Sequence, residues 1–205
     1  MNPLDITTAI LGLLYIFLEV RESLWMWLVA TIMQALGFVL YYQSGLYADC
    51  GMEIYYLIMT LYGFLSWKYG KQFWKRRNDS EIRVEDDSQK RFIAHVPLKS
   101  AIIMTALALA CWAVIYYILI TFTDSTVPLA DSFTTAFSIV GIWALAHKYL
   151  EQWFIWIAVD IVTSALYYYK GIPFKASLYA IYVIIAIFGY FNWKRKMHEQ
   201  YPTTS

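Results

Sequence analysis

The sequence predicts an all-α membrane protein with seven transmembrane helices, arranged as two parallel three-helix repeats joined by a linker helix (3+1+3). Three observations lead there. The 205 residues are 60% hydrophobic and 15% charged, where soluble chains average about 45–50% apolar and about 25% charged. The apolar residues gather into runs of bilayer-crossing length. The chain also matches itself at an offset of 126 residues. A net charge of +1 gives no reason to expect a nucleic-acid partner.

Apolar runs fall at roughly 6–20, 24–42, 52–67, 100–122, 132–147, 153–169 and 174–193, each read as a helix because lipid offers the backbone no hydrogen bonds. Pro3, Pro97, Pro128, Pro173 and Pro202 fall outside these runs or at their edges, where a missing N–H does least harm. The chain opens on Asn2, Pro3 and Asp5 with no basic segment and no small-residue cleavage pattern after the first run, so that run is expected to be retained. Cys50 and Cys111 are expected to be free thiols at different depths.

Charge sets the direction. With seven spans, every Lys and Arg except Lys170 and Lys175 falls on one side, while Asp5, Asp49, Asp124 and Asp131 fall opposite. The positive side faces the cytoplasm, which places the N-terminus outside and the C-terminus in the cytoplasm, a multi-pass topology. The expected organisation is a first repeat over 1–70, a charged cytoplasmic linker over 71–99, a linker helix over 100–122, a second repeat over 131–196 and a cytoplasmic tail over 197–205. The 71–99 stretch mixes Lys, Arg, Glu85, Asp86 and Asp87 without apolar periodicity, which reads as a solvated linker more than as a docking element.

The repeat rests on identities. Leu24, Trp27, Leu40, Tyr41, Tyr42, Gly45, Tyr56, Gly63, Trp67 and Lys68 recur without a gap as Leu150, Trp153, Leu166, Tyr167, Tyr168, Gly171, Tyr182, Gly189, Trp193 and Lys194. Apolar composition produces chance Leu matches, but not paired Trp, Gly and Lys. A single linking span returns the second repeat to the orientation of the first, and parallel repeats about the membrane normal are a known transporter plan with a midplane site.

Asp160 stands out, because an ionisable group near mid-bilayer costs at least about 2.5–3.5 kcal/mol and marks function by default. Its repeat counterpart Gln34 is polar too. The bland alternative is a carboxyl that satisfies a buried hydroxyl or amide. Trp153, Trp156, Asp160, Thr163 and Tyr167 share one helical stripe. The third span repeats that spacing with Glu53, Tyr56, Thr60, Gly63 and Trp67, and the seventh with Tyr179, Tyr182, Ala186, Gly189 and Trp193. Such stripes are often only packing, and Trp67 and Trp193, beside basic residues, read as interfacial belt. Candidate substrate-binding residues are Trp153, Trp156 and Asp160, seconded by Gln34, Glu53, Tyr56, Tyr182 and Asn192.

Absences narrow the class. No Lys or Arg lies deep in a span, so an anionic substrate would lack its partner, while acidic and aromatic walls suit a neutral or cationic one. The seventh span lacks a central lysine for a retinal Schiff base. His95, His147 and His198 show no metal-ligand spacing, and no phosphate-binding loop exists. No enzyme activity, cofactor, catalytic residue or metal is expected.

In the second repeat Asp131-Ser132, Ser138-Ile139-Val140, Lys148-Tyr149, Glu151 and Trp153-x-x-Trp156, followed by Asp160, Gly171, Tyr179, Gly189 and Trp193, resemble the bacterial PnuC family of nicotinamide riboside transporters. Gly12-Leu13, Glu22, Leu46-Tyr47-Ala48 and Tyr62-Gly63 with Trp67 carry the likeness into the first repeat. It covers about 5–68 and 131–196. The resemblance implies a duplicated SWEET-like bundle in the bacterial inner membrane. It further implies facilitated uptake of nicotinamide riboside, an NAD precursor, trapped by a cytoplasmic riboside kinase, and a homotrimer. Thiamine or riboflavin is the alternative cargo within the family. A SWEET-type sugar carrier and a membrane sensor or receptor are the competing classes.

Overall fold

A computed structural model describes residues 3–43, 47–75 and 92–200. Gly45 and Leu46, the charges between 76 and 91, and the last five residues therefore lie outside the described chain. The described residues form α1 (Pro3–Val20), α2 (Trp25–Gln43), α3 (Tyr47–Lys75), α4 (Leu98–Phe122), α5 (Pro128–Ala146), α6 (Gln152–Tyr169) and α7 (Pro173–Gln200). Prolines open α1, α5 and α7, the position where a fixed φ helps and the absent N–H costs nothing. By length and apolarity alone, α4, α5 and α7 can each cross a bilayer, and α1 and α2 hold the shorter apolar stretches Ala9–Val20 and Trp25–Val39.

Six helices close a ring: α1 packs on α2, α2 on α3, α3 on α5, α5 on α6, α6 on α7, and α7 on α1. Among the described helices α4 packs on α5 alone. Only Ala108 of α4 is buried, while Ile102, Leu107, Val114, Tyr117 and Ile120 are exposed. An outward face that apolar is suited to lipid.

The turns after α1 and α5 repeat at the 126-residue offset. Glu22 N donates to Glu19 O at 2.9 Å and Ser23 N to Leu18 O at 2.9 Å; Lys148 N donates to Leu145 O at 2.9 Å and Tyr149 N to Ala144 O at 3.1 Å. Both pairs are Schellman closures, whose left-handed residue is usually glycine. Here those residues are Glu22 (φ 61°) and Lys148 (φ 52°). Two non-glycine residues keep this less favourable backbone because their side chains meet: Lys148 Nζ forms an ion pair with Glu22 Oε1. Lys148 is buried, its Nζ lies 4.4 Å above the Trp67 ring, and Lys196 Nζ approaches Glu22 Oε2 at 3.6 Å.

The same end of the ring is filled by four tryptophans. Trp27 meets Trp67 edge-on at 5.4 Å, Trp153 meets Trp193 edge-on at 5.5 Å, and Trp67 meets Trp193 at 5.8 Å. Trp67 Nε1 donates to Leu145 O at 3.0 Å and Trp193 Nε1 to Glu19 O at 3.1 Å, again related by 126 residues. Each indole sits on a backbone that only glycine allows so close. An ideal Cβ on Gly63 would fall 2.2 Å from Trp27 Cη2, and one on Gly189 would fall 2.5 Å from Trp153 Cη2. Trp67 and Trp193 are therefore core, not interfacial belt. Trp67 and Trp193 are 1% and 0% exposed, because they pack on each other and on Trp27 and Trp153 inside the ring.

Helices reach into the stretch expected as the charged linker from both ends. Helix α3 runs on through Lys75 and α4 already begins at Leu98. Between them, residues 92–97 dock on the α5–α6 turn: Ala94 N donates to Lys148 O at 3.2 Å and Leu150 N to Ala94 O at 3.0 Å. Ile93 is wholly buried, and its N–H donates to Gln200 Oε1 at 3.1 Å. Glu151 anchors the segment through Val96 N at 2.9 Å and His95 Nδ1 at 2.7 Å. Helix α7 likewise continues through 197–200 with Met197 buried, so the expected tail begins inside a packed helix. Both cysteines are free thiols.

Candidate functional site

The α6 stripe positions Asp160, the acid singled out by the sequence. The residue is 6% exposed, lies within electrostatic reach of the Tyr182 hydroxyl on α7 and of Glu19 on α1, and makes no ion pair among the described residues. Tyr182 reaches this place because Gly12 of α1 leaves room: an ideal Cβ there would fall 2.0 Å from the Tyr182 hydroxyl oxygen. Tyr182 meets Tyr179 edge-on at 5.4 Å, and Tyr179 stacks on Tyr167 at 5.4 Å. This aromatic ladder runs along α6 and α7 away from the tryptophan-filled end.

Trp156 lies one turn from Asp160 on α6, half-buried against Gly141 of α5. Its indole N–H is buried without a partner among the described residues, as are Gln34 Oε1, Thr60 Oγ1 and Gln152 Oε1. Polar atoms left so cost about 1–3 kcal/mol each. Their concentration in helices α2, α3 and α6 marks an interior able to accept a polar guest.

Other candidates fare differently. Trp153 is fully enclosed by Gly189 and Trp193, which makes it a wall of the core. Asn192 Nδ2 donates to Val20 O at 2.7 Å and its Oδ1 accepts from Arg195 at 3.2 Å, so both ends of its amide are engaged at the close of α1. Glu53 lies against Gly37, whose ideal Cβ would fall 2.6 Å from Glu53 Oε1. Tyr56 meets Tyr55 at 5.6 Å, and the Tyr55 hydroxyl donates to Ile139 O at 3.1 Å. Glu53 thus faces α2, and Tyr55 carries the contact from α3 to α5.

Sequence reading passed over Glu19 and Gln152. Glu19 is 3% exposed, the Tyr15 hydroxyl sits beside it, and Gln152 Nε2 donates to its Oε1 at 3.2 Å. An acid inside the otherwise apolar 6–20 run was the available signal. A separate cavity of about 350 Å³, lined by apolar residues such as Trp112, Leu129, Phe133 and Val162, lies between α4, α5 and α6 and touches none of the candidates.

The family model described as nicotinamide mononucleotide transporter matches residues 2–195. The chain belongs to this family. A riboflavin/roseoflavin transporter, RibM, of Streptomyces davaonensis is 26% identical, with 92% of this chain and 83% of the relative covered. The nicotinamide riboside transporter PnuC of Escherichia coli is 20% identical over 98% of this chain and 88% of the relative. That of Neisseria mucosa is 22% identical over 91% and 70%. The crystal structure of the vitamin B3 transporter PnuC matches with a TM-score of 0.66 at 21% identity, covering 93% of this chain and 80% of that one. This member of the family is a membrane transporter and not an enzyme, and the resemblance to PnuC read from the sequence holds.

Proposed function

We propose that this transporter carries nicotinamide riboside into the cytoplasm by facilitated diffusion across the bacterial inner membrane. The supporting observation is Asp160: a buried carboxyl without a basic partner among the described residues, within electrostatic reach of Tyr182 and one turn from the unpartnered Trp156 indole N–H. Nicotinamide riboside carries a fixed positive charge on a flat ring and hydroxyls on its ribose. A tryptophan face attracts such a ring by about 0.5–2 kcal/mol, and a carboxylate binds hydroxyls through charge-assisted contacts of about 1.5–3 kcal/mol.

In this reading Trp156, Asp160, Gln34 and Tyr182 hold the substrate, Trp153 closes the tryptophan-filled end of the site against Trp193, and Glu53 and Tyr56 shape the opposite wall. Asn192 is left to close α1. The two three-helix repeats run parallel about the ring axis, with α4 as the joining helix, the N-terminus outside and the C-terminus in the cytoplasm. Trapping by a riboside kinase supplies the drive, and trimer formation uses surfaces outside the ring. The RibM relative favours riboflavin as a second reading, and thiamine shares the fixed cation.

Calorimetric titration of purified protein in detergent tests the site. Trp156→Ala and Asp160→Asn should each weaken nicotinamide riboside binding about tenfold or more, since about 1.4 kcal/mol is a factor of ten. Wild-type affinity in both variants, with monodisperse elution, places the site elsewhere.

A further inference from the structure

The ring holds a second buried acid, and the internal repeat shows what packing alone would put in its place. Glu19 and Gln152 reach each other across the interior, since α1 and α6 do not pack on one another among the described helices. At the offset of 126 residues their counterparts are Leu145 and Met26, both fully buried in the hydrophobic core. Equivalent positions are therefore apolar core residues in one half and a carboxyl–amide pair in the other. Burying a carboxyl is expensive where a Leu suffices, so packing does not explain Glu19.

Three features place this acid on the path. Gln152, Trp156 and Asp160 are four residues apart in sequence on α6, so the two polar ends are about 12 Å apart along the helix with the indole midway. Glu19 Oε1 accepts from the Gln152 end of that row at 3.2 Å. Neither acid makes an ion pair among the described residues.

We infer that Glu19, positioned by Gln152, forms a second cation-accepting subsite nearer the tryptophan-filled end than Asp160, and that it makes the transporter select positively charged over neutral substrates. The inference rests on the transport reading above and extends it to substrate class. A flat cationic ring moving along Trp156 exchanges one carboxylate for the other and never crosses the interior without a counter-charge. A neutral ring of the same shape gains nothing from the second acid.

Nicotinamide riboside and its reduced form, dihydronicotinamide riboside, differ in ring charge at nearly constant size. Calorimetric titration of the wild type should show preference for the cation. Glu19→Gln keeps the acceptor for Gln152 Nε2, so it should narrow the cation-to-neutral affinity ratio about tenfold or more, the worth of one charge-assisted contact, and leave the neutral ligand's affinity within about twofold. The double variant Glu19→Leu/Gln152→Met copies the other half of the ring. It should unfold no earlier than the wild type yet lose the same discrimination, which a merely structural pair would not do. An unchanged ratio in both variants overturns the inference. Should the wild type bind neither nicotinamide form, the cargo proposed above is wrong, and thiamine against riboflavin becomes the charged and neutral pair. Thiamine preference that narrows in Glu19→Gln then upholds the subsite, and riboflavin preference overturns it.

Discussion

Gly189→Ala adds one methyl group where the fold has no space for it. The new carbon would lie 2.5, 2.6 and 2.7 Å from Cη2, Cζ3 and Cζ2 of Trp153, whereas carbon atoms rest at about 3.5–4.0 Å. Helices α6 and α7 must separate by about 1 Å to restore contact distance. The indole cannot swing aside, being wholly buried and edge-on to Trp193. Overpacking of this kind costs about 1–3 kcal/mol. At Gly63 the same methyl would lie 2.2 Å from Trp27 Cη2, so Gly63→Ala should cost as much. Gly51 provides the opposite case on a helix surface: a Cβ there meets nothing within 4 Å, and replacing helical glycine by alanine gains up to about 1 kcal/mol. Thermal unfolding in detergent should show melting temperature falling by several degrees in Gly189→Ala and Gly63→Ala and rising slightly in Gly51→Ala. Wild-type melting of the first two would refute the claim that close Trp–Gly contact in each half sets the helix spacing.

The remaining predictions concern the filled end and the topology. Lys148→Ala leaves the partly buried Glu22 with Lys196 at 3.6 Å as its basic partner among the described residues. Breaking a buried pair costs about 3–5 kcal/mol; read from the melting temperature, the remaining Lys196 should hold the loss to the lower part of that range, whereas Lys148→Ala/Lys196→Ala should reach its upper part. Trp67→Ala removes a fully buried ring and its hydrogen bond to Leu145, so it should destabilise by about 3–5 kcal/mol, where a belt residue would scarcely matter. In intact cells a cysteine at Ser125, in the α4–α5 connection, should react with an impermeant thiol reagent while one at Ser80 resists. The reverse pattern would invert the assigned orientation.

Much of this fold was legible because lipid leaves few alternatives. The seven helices, the proline-marked starts and the 126-residue offset were all readable, and the hydrogen bonds of the α1 and α5 turns fall at that offset. Asp160 was readable because a mid-span acid is costly. What stayed hidden depended on neighbours far away in sequence. Nothing local tells that Glu22 and Lys148 take a left-handed conformation usually held by glycine, since their ion pair joins residues 22 and 148. Trp67 beside Lys68 has the local pattern of an interfacial belt; only the opposing Trp193 and the Leu145 carbonyl make it core. Ile93 sits at the end of a charged stretch, and its burial follows from a turn more than fifty residues on. Glu19 carries a local signal, an acid near the end of an apolar run, but its partner Gln152 lies in the other half of the chain.

The transport account stands or falls on flux through purified protein. Liposomes containing it, loaded with buffer matched to the outside, should take up labelled nicotinamide riboside until the concentrations are equal, with no sodium, proton or ATP requirement. Uptake should accelerate when unlabelled substrate is placed inside, and it should be lost in Asp160→Asn. Accumulation above the outside concentration that collapses with a protonophore would contradict facilitated diffusion and make Asp160 a proton site, and riboflavin flux without nicotinamide riboside flux would contradict the cationic cargo.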